Sequence, residues 1–339
     1  MNEEQPDTLQ LKLFNEILTR FSGKSEAISE LMKVLSVNRD GIYRRLRGDT
    51  LLTSQELHLL AIRFSISLDE LVHEDTNKIF FSYSLYEQDA NSFWDYLMLM
   101  NQHLKEFVKQ PELWVYYSSQ EIPIFISMMF PKLFAFKMYV HGLTTWHLDF
   151  LQDKPFDFDL LNAKEQALAM ETSQIYCTIN STDFWTLALL QQSLSQIEYL
   201  AVEGRFKTFE ICQEVCLELL ELIRHARLMA ESGKKFMPGH QPIKANGVFD
   251  LFHSELTVTN TTILSIAQQR YGLYNAFDNP NFLFTNNKKL CLLKEAWFKK
   301  VKQYSVSMSV HSSKNRNHYF NKLESKIEQT MKRMEYAFS

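Results

Sequence analysis

Apolar side chains recur at helical spacing from the start of the chain. Leu9, Leu13, Phe14, Ile17, Leu18 and Phe21 form one stripe, which predicts an amphipathic helix over residues 9–21 that Ser22-Gly23 breaks. Ile28, Leu31, Met32 and Leu35 share one face of a second helix, with Ser25 placed to cap it and the Glu26 carboxylate in its first turn. Ser36-Val37 form a tight turn, and Val37 can plug the angle between the two helices it joins. Asn38 is placed to cap a third helix, with Ile42 and Leu46 inward and Arg39, Asp40, Tyr43, Arg44 and Arg47 outward. Gly48 suits the left-handed residue that ends a helix. Leu57, Leu60, Ala61 and Phe64 predict a fourth helix after a cap at Thr53 or Ser54, and Ser67 caps a last short one through Leu71. The pattern is that of five short helices around one small core.

The longer remainder reads differently. KIFFSYSLY at 78–86 alternates loosely, as an extended connector does. Phe93, Leu97, Met100, Leu104 and Phe107 predict a helix over 89–109, ended by Pro111. LWVYY at 113–117 is β-prone, and 121–141 reads as a mostly apolar, buried helix disturbed near Pro131. Further helices are expected near 162–178, 185–200 and 208–231, the last strongly amphipathic, and the helical block reads as a core with a dimer face. From Gly247 come strand-rich pieces, a basic helix over 288–302, an alternating strand in YSVSMSVHSS at 304–313, and a helix over 317–336. That order suggests a small α+β region, with sensor folds of the PAS or GAF kind as analogues. The expected fold class is mainly α with a smaller α+β C-terminal portion. Its parts are residues 1–77, a helical dimerisation and effector region 78–245, and 246–339, either separate or one domain with 78–245.

Composition narrows this picture. The chain has 339 residues, 45% of them hydrophobic, and a formal charge of −4, which suits a soluble globular protein of two or three domains. No apolar run approaches the roughly 18–20 residues of a membrane span, and MNEEQPD lacks the apolar region of a signal peptide. Four cysteines do not make a disulfide framework in a chain this long, so a reducing cytoplasm is expected. Residues 1–77 hold 9 Lys and Arg against 13 Asp and Glu, so positive charge is local, concentrated in 39–47. A histone-like basic coat is excluded.

Two short helices joined by a tight turn, the second rich in arginine, can place a helix in the DNA major groove. The segment LSV-N-R-x-x-I-x-R-x-x-R-G at 35–48, the following helix and SLDEL at 67–71 resemble the phage-repressor-like (XRE-type) helix-turn-helix family. IYRRLRGDTLLTSQEL at 42–57 is similar to bacterial regulators with a YRR-x-R/K-G signature. The resemblance covers about the first 75 residues. It implies a five-helix lambda-repressor-like bundle, double-stranded DNA as partner, and a homodimeric regulator of transcription in a bacterial cytoplasm. Three positions depart from the family: Ser36 stands where Gly is usual, Met32 where Ala is, and Arg45 where an apolar residue is often buried.

Residues early in such a helix reach bases first, and Arg and Asn can bond guanine and adenine bidentately. Asn38, Arg39, Asp40 and Tyr43, then Arg44, are the candidates for base contact. Arg47, Lys24 and the backbone near Ser25 are candidates for phosphate. The C-terminal part is expected to sense a small molecule or a partner protein, and no membrane contact is expected. The alternative is a helix-turn-helix module for protein interaction, antitoxin-like or an assembly factor, that does not read DNA. An enzyme tethered to DNA lacks support: there is no G-x-S-x-G, P-loop, H-E-x-x-H, Rossmann glycine pattern or CxxC, and only 9 glycines. No cofactor or metal is expected, since Cys212 and Cys216 share a helix face but two ligands do not define a zinc site. The lysines of 288–302 read as a solvated face or an anion-binding one. Ser305, Ser307, Ser309, Lys314 and Arg316 read as an exposed strand face or a polar pocket.

Overall fold

The computed structural model describes residues 8–64, 66–72, 78–84, 92–146, 148–256, 261–268, 270–278 and 281–337. The chain divides into two compact units, Met1–Phe80 and Phe81–Ser339. Thirteen helices and one mixed eight-stranded sheet are seen among the described residues.

The first unit is helical: α1 Leu9–Thr19, α2 Lys24–Leu35, α3 Arg39–Leu46, α4 Ser54–Arg63 and α5 Leu68–Val72. Each of the first four turns a narrow apolar stripe inward, and Leu13, Phe14, Ile17, Ile28, Leu31, Ile42 and Leu60 meet in one core. Local caps fix the boundaries. Thr8 accepts from the Leu11 amide at the start of α1, and Thr53 and Glu56 form a reciprocal capping box at the start of α4.

The second unit begins with β1 Ser82–Ser84, α6 Phe93–Phe107, β2 Trp114–Ser119, α7 Ile124–Ser127, α8 Pro131–Thr144, α9 Ala163–Tyr176 and β3 Asn180–Trp185. It continues with α10 Gln191–Val202, α11 Phe209–Ser232, β4 Phe249–His253, β5 Thr262–Ala267, β6 Arg270–Asp278, β7 Asn281–Thr285, α12 Lys288–Gln303, β8 Val306–Ser307 and α13 Ser313–Ala337. The strand order is β1-β7-β6-β5-β2-β3-β4-β8. β2, β3 and β4 run parallel to one another, and every other pairing is antiparallel. One face of the sheet, carrying Val115, Trp185, Phe249 and Leu251, packs into the large helical core. The other face, carrying Phe184, Phe252, Leu264 and Leu273, is covered by Cys291 and Phe298 of α12.

Residues 246–339 share one sheet with residues 78–245: β5 pairs with β2 and β4 pairs with β3. Several expectations are corrected. Residues 121–141 are two helices. Pro131 occupies the first turn of the second, where its missing N–H is not needed, and Phe130 before it is extended. Trp185 ends a strand and does not begin a helix. The alternating segment 304–313 is a strand only at Val306–Ser307. Arg316 donates to the carbonyls of Met308 (3.3 Å) and Ser309 (2.7 Å), and the Ser307 and Ser309 hydroxyls bond each other at 2.8 Å. Side chains thus take the groups a ladder would need. The helix expected over 89–109 spans Phe93–Phe107 behind a Ser92 cap, with 89–91 outside the described residues, as are 85–86 of the expected connector. The amphipathic face of α11 is buried within the chain itself, with Cys212, Val215, Cys216, Leu219 and Ile223 inaccessible. Among the described residues no helix is long and apolar enough to cross a membrane.

Two ionisable side chains, Asp183 and Lys235, are buried in the large core with no hydrogen bond between them. Asp183 of β3 is fully buried and accepts from the Ser181 hydroxyl at 2.5 Å. Lys235, just beyond α11, is buried with its Nζ 4.0 Å from the centre of the Tyr176 ring. Burial pulls Lys235 down to about 8, against the opposing pull of Asp183. Nearby, Gly247 joins two segments: its N–H donates to Cys177 at 2.8 Å and its carbonyl accepts from Lys235 at 3.0 Å. A Cβ there would overlap the main chain of Ile179. Gly247→Ala is expected to cost about 3 kcal/mol, since backbone pinned on both sides cannot yield. Urea unfolding of the larger unit checks this, and an unchanged midpoint would refute it.

Candidate nucleic-acid interface

The candidate site is built by α2, the turn at Ser36-Val37 and α3. The start of α2 differs from the expectation. Gly23, in extended conformation, is the N-cap, and Ser25 is the second helical residue. The Ser22 hydroxyl bonds Glu26 at 2.8 Å instead of capping the helix. The amides of Glu26 and Ala27 both donate to the Gly23 carbonyl at 3.2 Å. Those of Lys24 and Ser25 are left with no acceptor within the helix, as first-turn amides are. Glu26 itself is exposed in the same turn and would repel a phosphate brought to them.

The turn is strained at one residue. Ser36 sits in the left-handed region, at φ 54° and ψ 37°. Val37 packs against the core, and Asn38 caps α3 by accepting from the Gly41 amide at 2.9 Å. Ile42 is the fully buried anchor of α3. Around it the helix presents Arg39, Asp40, Arg44 and Arg47 exposed and Tyr43 half-buried. The Lys24 ammonium lies 6.0 Å and the Arg39 guanidinium 5.9 Å from the centre of the Tyr43 ring, so three of the candidates cluster. Arg39 and Arg44 have no carboxylate partner among the described residues, whereas Arg47 bonds Asp49 at 2.8 Å. Asn38 spends its side-chain oxygen on the cap, which leaves its amide nitrogen as the group free to read a base.

Arg45 points the other way. It bonds Glu56 of α4 at 2.7 Å, with both side chains about 15% exposed, and reaches the Gly41 carbonyl at 3.3 Å. Gln10 of α1, buried, donates to the carbonyls of Arg45 (2.8 Å) and Thr50 (2.9 Å) and accepts from the Leu52 amide at 2.7 Å. Sequence reasoning missed both braces as parts of the site. The Thr53-x-x-Glu56 spacing and the departure at Arg45 were the available signals for one; Gln10 gave none. Burial alone would raise the Glu56 carboxyl, but the Thr53 amide and the Arg45 guanidinium outweigh it and hold the group below its ordinary 4.5.

Other candidates resolve more simply. All four cysteines are free and buried, and burial pushes Cys212 up to about 12. No cluster that could hold a metal occurs among the described residues. On α12, Lys299 pairs with Glu295, Lys302 with Asp250, and Lys294 lies 3.8 Å from the centre of the Trp297 ring. No family model, no curated protein and no solved structure matches the chain.

Two outcomes follow for this unit. Ser36→Gly removes the Cβ penalty of the left-handed turn and is expected to stabilise the unit by about 0.5–1 kcal/mol. Slower hydrogen exchange at Ile42 would register it, and faster exchange would refute it. Glu56→Gln is expected to cost about 2–3 kcal/mol near neutral pH, by leaving Arg45 without its charge partner and weakening the cap. A carboxyl held below its ordinary value adds stability above that value and loses it as pH falls through the lowered one. The difference between wild type and variant should therefore close below about pH 4. A constant difference from pH 7 to pH 3 would show that the ion pair is not its source.

Proposed function

We propose that this chain is a sequence-specific DNA-binding transcriptional regulator of the XRE type, acting as a homodimer in a bacterial cytoplasm. One observation carries the reading. The helix after the turn shows Arg39, Asp40, Tyr43 and Arg44 on its outer surface, while its remaining arginines are drawn off, Arg45 to Glu56 and Arg47 to Asp49. In this reading Arg39 and Arg44 bond guanine edges, Asp40 accepts from cytosine, and Tyr43 packs beneath Lys24 and Arg39. Lys24, the Ser25 amide and Arg47 take phosphates, Arg47 by exchanging Asp49 for the stronger anion. The larger unit supplies dimerisation and signal sensing. Because residues 1–77 hold more acid than base, one copy binds weakly, and two half-sites supply the affinity.

A second reading, a protein-interaction module, is favoured by that acidic excess and by Glu26 beside the open amides. Selection of random and genomic DNA on the full chain separates the two. A motif recovered by wild type and lost by Arg39→Ala/Arg44→Ala, with affinity falling steeply as salt rises, is the expected outcome. Arg47→Ala should weaken all sequences alike and reduce the salt slope by about one phosphate contact. No enrichment at any salt with folded protein, or a motif unchanged in the double variant, would refute DNA reading.

A further inference from the structure

The carboxyl ends of β3 and β4 open into a crevice of about 170 Å³. Open sheets with parallel strands bind ligands at such ends. Leu187, Val306 and Met308 give it an apolar floor, and the first turns of α13 close it with Asn315, His318 and Lys322. These three stand at helical spacing, one above another.

Their side chains are uncommitted. Among the described residues, several other polar side chains of α13 are engaged with the rest of the fold, while Lys314, outside the crevice, is not. Arg316 bonds Met308 and Ser309, Asn317 and Asn321 accept from Arg227, and Tyr319 donates to the Thr186 carbonyl at 3.0 Å. Glu324 pairs with Arg224, and Lys326 donates to the Leu187 carbonyl at 2.6 Å. Asn315, His318 and Lys322 make no hydrogen bond or ion pair among the described residues. The wall facing them is already set: Glu255 accepts from the Leu187 amide and from His253, both at 2.7 Å, and the His253 ring lies against Tyr319 at 4.7 Å. A second crevice, about 200 Å³ at the amino ends of β2 and β3, is lined by Gln110 and Glu112 and by no cationic side chain. There Thr178 donates to Ile175 and Asn180 accepts from the Val248 amide.

We propose that the crevice at the carboxyl ends of β3 and β4 binds a small aliphatic carboxylate. Its carboxylate is taken by Lys322, His318 and Asn315, and its hydrocarbon part lies on Leu187, Val306 and Met308. The size fits: the space holds five or six waters at about 30 Å³ each and falls short of the roughly 300 Å³ at which drug-sized sites begin. A lysine offers donors only, an amide can turn its NH2 to an oxyanion, and the apolar floor favours an acid with a short chain over a bare ion. As the effector of a regulator, this ligand rests on the proposed function; as a binding site it does not.

Calorimetry on the full chain without DNA, with propionate, butyrate, succinate and inorganic phosphate as probes, tests the site. Saturable binding of a carboxylate is expected, weakened about tenfold by Lys322→Ala and by His318→Ala and untouched by Lys300→Ala on α12. Exposed side chains with no partners can be removed without unfolding the chain. No saturation by about 10 mM, binding retained in both variants, or phosphate bound as tightly as every acid would overturn the proposal. Repeating the DNA selection with the bound acid present tests the effector role. A changed affinity supports that role and an unchanged one overturns it. A failure to read DNA at all shows there and not in the calorimetry.

Discussion

Parallel pairing of three strands governs the larger unit. Strands that run the same way cannot be joined by a hairpin, so the chain must cross over between them. It does so twice, from Ser119 to Asn180 through α7, α8 and α9, and from Trp185 to Phe249 through α10 and α11. The crossovers lay their apolar faces on one side of the sheet and bury Val115, Trp185 and Leu251 there. β3, flanked on both edges and covered on both faces, is inaccessible from Ser181 to Trp185. One face and two edges of these three strands remain, and α13 joins the helical layer on the face already covered. β5, β6, β7 and β1 extend one edge, β8 closes the other, and α12 covers the face.

How much of this was legible follows from how local each signal is. The helices of the first unit are short and capped, and their stripes and stop signals sit within a few residues of one another. Their order could be read, down to the turn at Ser36, with one cap displaced from Ser25 to Gly23. β3 could not. Asn180, Ser181, Thr182 and Asp183 look like a loop, and their strand is fixed by partners 66 to 68 residues away. The segment 304–313 failed in the opposite sense: it alternates as a strand does, but a guanidinium arriving from α13 takes its carbonyls. The crevice was illegible for the same reason. Its lining comes from Leu187, His253, Val306 and α13, and only the spacing of Asn315, His318 and Lys322 is local.

In the first unit the arginine-rich helix is held by polar braces as much as by its core. Ile42 is its single fully buried side chain. Arg45, Glu56 and Gln10 tie its body to α4 and its end to α1. Where an apolar residue would hold position by packing alone, a charge pair holds it by direction, because a guanidinium and a carboxylate bond well in few geometries. Arg45 therefore orients the helix by a directed bond and keeps its outer surface free. The same pair ties that orientation to the cap of the next helix, since Glu56 serves both.

The division at Phe80 also partitions the chain's optical signals. Every tryptophan, from Trp94 to Trp297, falls in the larger unit, and the first has Tyr43 as its one tyrosine. Indole emission during melting follows the larger unit alone, while helical ellipticity sums both. The difference between the two curves isolates the smaller unit without a label, a cut or a second protein.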